Sequence, residues 1–114
     1  VTARDSLVAA NRARALGAEP HVGVADKLAC VEALRERLGL AMDEVAFMGD
    51  DLPDLPVLRR VGLAVAPANV HRWLQGAVHW TTPSRGGEGA ARELADLILQ
   101  AQGRVDGLLG GAAP

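Results

Sequence analysis

The stretch Glu44-Val-Ala-Phe-Met-Gly-Asp-Asp-Leu-Pro-Asp54 limits what this chain can fold into more than any other part of it. Val45, Ala46, Phe47 and Met48 run without a polar interruption, which predicts a strand buried on both faces, as in a parallel sheet covered by helices. Gly49 lets the backbone turn where that strand ends. Asp50, Asp51 and Asp54 then project from its carboxyl end, where open α/β sheets bind their ligands. Carboxylates packed this closely repel one another unless a cation sits among them, and hard oxygen ligands without sulfur or imidazole suit Mg²⁺ rather than zinc. The alternative is a polar turn leading into a helix, with Asp51 as N-cap or Pro53 in the first turn. On these residues alone both readings stand.

The flanking pattern supplies the rest of a domain. Asp5 or Ser6 can cap a first helix carrying Leu7, Val8, Ala15 and Leu16, closed by Gly17. His21 to Val24 is expected to form a short strand, after which Asp26 caps a second helix with Leu28, Val31, Leu34 and Leu38 on one face and Gly39 as its stop. A short helix over 55–61, a buried strand over Leu63 to Ala66, helical turns over 69–75 and an edge strand over Val78 to Thr82 follow. The loop Pro83-Ser-Arg-Gly-Gly-Glu-Gly89 opens onto an amphipathic helix with Ala91, Leu94, Ala95, Ile98 and Leu99 spaced i, i+3, i+4, i+7, i+8. This alternation is the βαβ rhythm of an α/β domain with a mainly parallel sheet. The domain is expected to span 1–102, with 103–114 a flexible glycine-rich tail.

At 114 residues the chain is one domain by length, but short for a complete doubly wound sheet, which usually takes about 150 or more. A net charge of -2 leaves no broad basic surface, which argues against nucleic acid or an anionic membrane as partner. No apolar stretch approaches the roughly 20 residues of a membrane span. With a single cysteine, Cys30, no internal disulfide can form, and the cytoplasm is the expected location. Of the histidines, His21 and His79 are expected to be structural, whereas His71 can lie near the site rim.

Lys27 begins a helix just past one strand tip, as the aspartates follow another. In a parallel sheet the two tips share an edge, which places the ammonium near the carboxylates and near any phosphate bound there. Alone, a lysine at a helix start is ordinarily a solvated surface residue; its position before a Gly-Asp-Asp strand end gives it a role. A receiver domain also gathers carboxylates and a lysine at strand tips, but there the acidic pair precedes the lysine in the chain.

With Lys27, the Gly49-Asp50-Asp51-Leu-Pro-Asp54 segment and the leading Val1-Thr2-Ala3-Arg4, the chain resembles the haloacid dehalogenase superfamily of phosphatases. More narrowly, 49–58, Val61-Gly-Leu-Ala-Val-Ala66 and Gly86-Gly-Glu-Gly-Ala-Ala-Arg-Glu93 are similar to its cap-less subfamily typified by 3-deoxy-D-manno-octulosonate 8-phosphate phosphatase. The resemblance implies a Rossmann-like three-layer α/β/α fold, with Mg²⁺ as cofactor and a phosphorylated sugar acid of lipopolysaccharide biosynthesis as substrate. It implies phosphate or substrate binding by Thr2, Arg4, Lys27, Arg85, Gly86 and Gly87, with Ala3 standing where the pattern has glycine. Asp50 would ligate the metal directly, Asp51 would ligate it through water or position the site, and Asp54 would orient Lys27 or the metal's waters. The family also implies a homo-oligomer, a tetramer by analogy.

One part of the family pattern is missing. Its nucleophile is an aspartate followed two residues later by an acid–base aspartate, at the end of the sheet's central first strand, and no Asp-x-Asp triplet occurs in this sequence. Two expectations follow. Either the chain is a phosphomonoesterase that is catalytically complete only with an upstream Asp-x-Asp segment, or it is a non-catalytic binding or assembly module.

Overall fold

The computed structural model describes residues 1–103, so that of the glycine-rich tail only Gly103 falls within it. Three parallel strands, β1 (Ala46–Met48), β2 (Leu63–Ala66) and β3 (Trp80–Thr81), form a sheet in the order β1-β2-β3. Ala46, Phe47 and Met48 stand opposite Leu63, Ala64 and Val65, and Val65 and Ala66 stand opposite Trp80 and Thr81. The helices are α1 (Leu7–Ala15), α2 (Lys27–Leu38), α3 (Leu55–Leu58) and α4 (Ala90–Ala101), with single 3₁₀ segments at Met42–Glu44, Leu52–Asp54 and Arg72–Ala77. Among the described residues no helix is long and apolar enough to cross a membrane.

The helix ends follow from their caps. Ser6 Oγ accepts from Ala9 N–H to start α1, and Asp26 Oδ1 accepts from Ala29 N–H to start α2, which sets Lys27 at the first helical position. Gly39 closes α2 in the left-handed region, φ +69°. α2 packs on α3, and α3 on β1 and β2. Val31, Val57, Leu58, Val61, Ala64, Ala66, Val70 and Leu74 are the buried core of this packing.

The two apolar strands differ in burial. Ala64, Val65 and Ala66 of β2 are fully buried between two neighbouring strands. In β1, Ala46 is exposed and Phe47 and Met48 only half-buried, rather than buried on both faces, because one flank of β1 carries no strand among the described residues. His21 to Val24 is likewise not a strand. Its backbone bonds instead to the leading segment, through Thr2 N–H to His21 O (2.9 Å), Gly23 N–H to Arg4 O (2.9 Å) and Val24 N–H to Thr2 O (2.9 Å). The edge strand is shorter than 78–82 because His79 takes over part of the ladder. Its N–H donates to Ala64 O (2.7 Å), while its Nδ1 accepts from Ala64 N–H (2.8 Å), a structural use of that imidazole.

Candidate active site

Parallel strands send their carboxyl ends to one edge, and the residues leaving β1 and β2 meet there. Gly49 N–H prolongs the ladder by donating to Val65 O (3.0 Å), and the chain then turns through Asp50 and Asp51 into the 3₁₀ segment ending at Asp54. This turn needs glycine: a Cβ on residue 49 would lie 2.5 Å from Asp54 Cβ. The bare backbone lets Asp54 fold back over the strand end.

Asp54 is the hub of the site. Only 4% exposed, it uses both carboxylate oxygens. Oδ2 accepts from Asp50 N–H (3.0 Å) and Asp51 N–H (3.3 Å), while Oδ1 pairs with Lys27 Nζ at 2.6 Å. The ion pair is itself withdrawn from solvent, with side-chain exposures of 14% for Lys27 and 5% for Asp54. A buried charge needs this kind of pairing, since an unpartnered one would cost several kcal/mol. Lys27 is thus a fixed cation on the floor of the site and no solvated surface residue.

Above the pair lies a depression of about 280 Å³ lined by Thr2, Lys27, Phe47, Met48, Asp50, Asp54, Pro67 and Gly86, among others. Thr2 Oγ1 accepts from Arg4 N–H (3.2 Å), which leaves the hydroxyl proton for an anion in the depression. A second depression of about 290 Å³ adjoins Asp50 on another side and is lined by Asp50, Asp51, Asn69 and His71. Asp50 therefore faces both, and among the described residues its carboxylate accepts no hydrogen bond. Asp51 instead accepts from Leu52 N–H (2.7 Å) and caps the 3₁₀ segment, so the helix-start alternative describes this residue's local role.

The structure thus brings together Thr2, Lys27, Asp50, Asp54 and Gly86, with Asp51 on the neighbouring depression. Arg4, Arg85 and Gly87 are exposed and do not line either depression. Among the described residues no three His, Cys, Asp or Glu side chains are grouped so as to hold a metal by themselves. A hard cation here would rest on Asp50, with Asp51 nearby, and complete its shell with water and substrate oxygens, which suits Mg²⁺. Sequence reasoning missed Pro67 and Asn69. Both sit in the turn after β2, and Pro-x-Asn is turn chemistry whose proximity to Asp50 only the fold reveals.

The fold is that of an α/β protein whose parallel sheet presents a buried lysine–aspartate pair beside an uncommitted carboxylate at its strand tips. The chain belongs to the haloacid dehalogenase-like hydrolase family, whose model matches residues 23–94. It is 40% identical over 111 residues to 3-deoxy-D-manno-octulosonate 8-phosphate phosphatase of Yersinia pestis, a match covering 96% of this chain and 59% of that protein. Among solved structures, a hypothetical protein of Xanthomonas campestris superposes with a TM-score of 0.92 at 54% identity, over 95% of this chain and 59% of that one. A 3-deoxy-D-manno-octulosonate 8-phosphate phosphatase of Moraxella catarrhalis, solved with a magnesium ion, a phosphate ion and a KDO molecule, superposes at 0.90 with 34% identity, over 97% of this chain and 64% of that one. The chain spans less than two thirds of the length of each of these relatives.

Proposed function

We propose that this chain carries the metal- and phosphate-binding half of a Mg²⁺-dependent phosphomonoesterase acting on a phosphorylated sugar acid, 3-deoxy-D-manno-octulosonate 8-phosphate by its similarity to the relatives. The observation that carries the reading is the 2.6 Å Lys27–Asp54 pair on the floor of a depression shared with Thr2, Asp50 and Gly86. Lys27 presents a positive charge to the phosphoryl oxygens, held in place by Asp54, and the Thr2 hydroxyl donates to one of them. Asp50, with Asp51, holds the metal, which supplies further neutralisation of phosphoryl charge when bound. Arg4, Arg85 and Gly87 belong to the substrate's outer surroundings, reached from exposed segments.

The nucleophile comes from a further strand. The open flank of β1 and the leading segment face each other across a groove of about 260 Å³, lined by Val1, Val31, Leu34, Leu38, Val45 and Phe47, among others. An open strand edge above an apolar floor suits an added apolar strand. Val1 and Phe47 also line the site depression, so a strand in the groove would end at Lys27 and Asp50, where Asp-x-Asp is required. The relatives' greater length is consistent with such a segment, and homo-oligomerisation, as a tetramer, is proposed from the family alone.

The test is phosphate release from the sugar-acid phosphate in MgCl₂, by this chain alone and by a polypeptide extended with an apolar strand ending in Asp-x-Asp. The reading expects activity only in the extended form and its loss in Asp50→Ala. Activity that survives Asp50→Ala refutes the metal assignment. An extended form that binds Mg²⁺ and phosphate yet releases none favours the non-catalytic module.

A further inference from the structure

We propose that Asn69 is a positioning residue that ties the glycine-rich loop to the rim of the phosphate depression. The loop has little else to hold it. Arg85, Gly86, Gly87, Glu88 and Gly89 are all exposed, and Gly87 and Gly89 adopt φ of +77° and +105°. Glu88 N–H donates to Arg85 O within the loop itself, which shapes a turn but anchors nothing. At the loop's entry, Ser84 is fixed by Ala68 N–H donating to its carbonyl (3.0 Å) and by its own N–H donating to Glu93 Oε1 (2.9 Å). Beyond Ser84, the contact reaching the loop backbone from another segment is Gly86 N–H donating to Asn69 Oδ1 at 2.7 Å.

Asn69 is itself well placed to carry that contact. Val70, next in the chain, is buried in the core, and His71 N–H donates to Asp50 O (3.0 Å). The turn after β2 is therefore pinned to the strand tip that bears Asp50, and Asn69 extends the same frame to Gly86, which lines the depression with Lys27 and Thr2. The bond also consumes the Gly86 N–H, so Gly86 contributes the course of its backbone and no donor of its own. An Ala at 69 removes the acceptor and frees the loop, whereas an Asp keeps an acceptor oxygen at the same reach.

The proposal rests on the phosphate-binding reading of the depression, and two readouts keep the two apart. Amide exchange of ¹⁵N-labelled protein is compared for wild type, Asn69→Ala and Asn69→Asp, and inorganic phosphate is titrated in MgCl₂. In Asn69→Ala, Gly86 N–H exchange is expected to rise on the order of tenfold while the amides of β2 are unchanged. Asn69→Asp should restore it. Phosphate affinity should fall roughly threefold to tenfold in Asn69→Ala, with the thermal midpoint unaltered. Unchanged Gly86 exchange in Asn69→Ala overturns the tie, and faster exchange with undiminished phosphate affinity overturns its functional role. A wild-type protein that binds no phosphate overturns the reading of the depression and with it the functional role, while Gly86 exchange still decides the tie.

Discussion

The Lys27–Asp54 pair can be measured by a double-mutant cycle of Lys27→Met, Asp54→Asn and the double variant. The Nζ–Oδ1 distance is 2.6 Å and the two side chains are 14% and 5% exposed, so solvent screens the pair far less than a surface ion pair. A hydrogen bond to a charged group contributes roughly 1.5–3 kcal/mol, against about 0.2–1 kcal/mol for exposed pairs. In Asp54→Asn the amide oxygen can still accept from Asp50 and Asp51 N–H, but its NH₂ group then faces the ammonium. That variant leaves Lys27 buried and unpaired and should lose about 3–5 kcal/mol. Lys27→Met leaves a carboxylate that keeps its two backbone donors and should lose less. The double variant should recover part of the sum, with a coupling of about 2 kcal/mol read from urea denaturation midpoints. A coupling below about 0.5 kcal/mol would show that the pair behaves as a surface contact and would remove the argument that Lys27 is held in place.

Three further outcomes follow from the geometry. Gly49→Ala forces a Cβ to within 2.5 Å of Asp54 Cβ and should destabilise by about 1–3 kcal/mol in denaturant, with Lys27 displaced from its partner. Thr82, 2% exposed, donates Oγ1–H to Ser84 O at 2.7 Å, so Thr82→Val should lose about 0.5–1.5 kcal/mol by removing one of that carbonyl's two donors, Ala68 N–H being the other. Glu19 is held at a pKa of about 2, against an ordinary 4.5, by its hydrogen bonds from Arg37 first and by the His21 imidazole 3.3 Å away second. Because the folded value lies below the unfolded one, its contribution is present above pH 4.5 and is lost as the pH falls toward 2. The stability difference between wild type and Glu19→Gln should shrink across that window.

Local chemistry carried much of the fold. The caps Ser6, Asp26 and Gly39 sit where side-chain acceptors and a left-handed glycine predict them, because capping is decided within a few residues. β2 lies on its apolar run for the same reason. His21 to Val24 has apolar character, but Gly23 lies at φ +66°, outside the extended region, so its bonds to the leading segment do not make a regular ladder, and no strand of the described sheet pairs with it. In the site, Lys27 was expected near the aspartates by way of a strand over His21 to Val24 that does not form; the Asp26 cap, which starts α2 at Lys27, and the packing of α2 on α3 set it there instead. The division of labour among three aspartates was offered by the family resemblance and by the capping alternative for Asp51, not by their spacing, since Asp51 as cap, Asp54 as buried hub and Asp50 as free carboxylate differ only in which backbone donors the turn aims at each. Asn69 was illegible for a similar reason: its partner Gly86 lies on a separate loop, joined through the sheet rather than the sequence.

The electrostatics of the depression also order its ligands. Lys27 brings one positive side chain to the lining, and Asp50 and Asp54 bring two negative ones. Asp54 already neutralises Lys27 at 2.6 Å, so the unbalanced charge is the Asp50 carboxylate. A phosphate dianion approaching this surface meets net negative charge at close range, where like charges disfavour binding. A divalent cation on Asp50 reverses the sign and leaves Lys27 and Thr2 to orient the anion. Inorganic phosphate should therefore bind measurably in MgCl₂ and at least tenfold more weakly in EDTA, a difference of about 1.4 kcal/mol. Asp50→Asn removes the unbalanced charge, so it should lower Mg²⁺ affinity and narrow the gap between the two phosphate titrations. Equal phosphate affinity in MgCl₂ and EDTA for the wild-type chain would refute this ordering and show that Lys27 remains available to an anion despite its bond to Asp54.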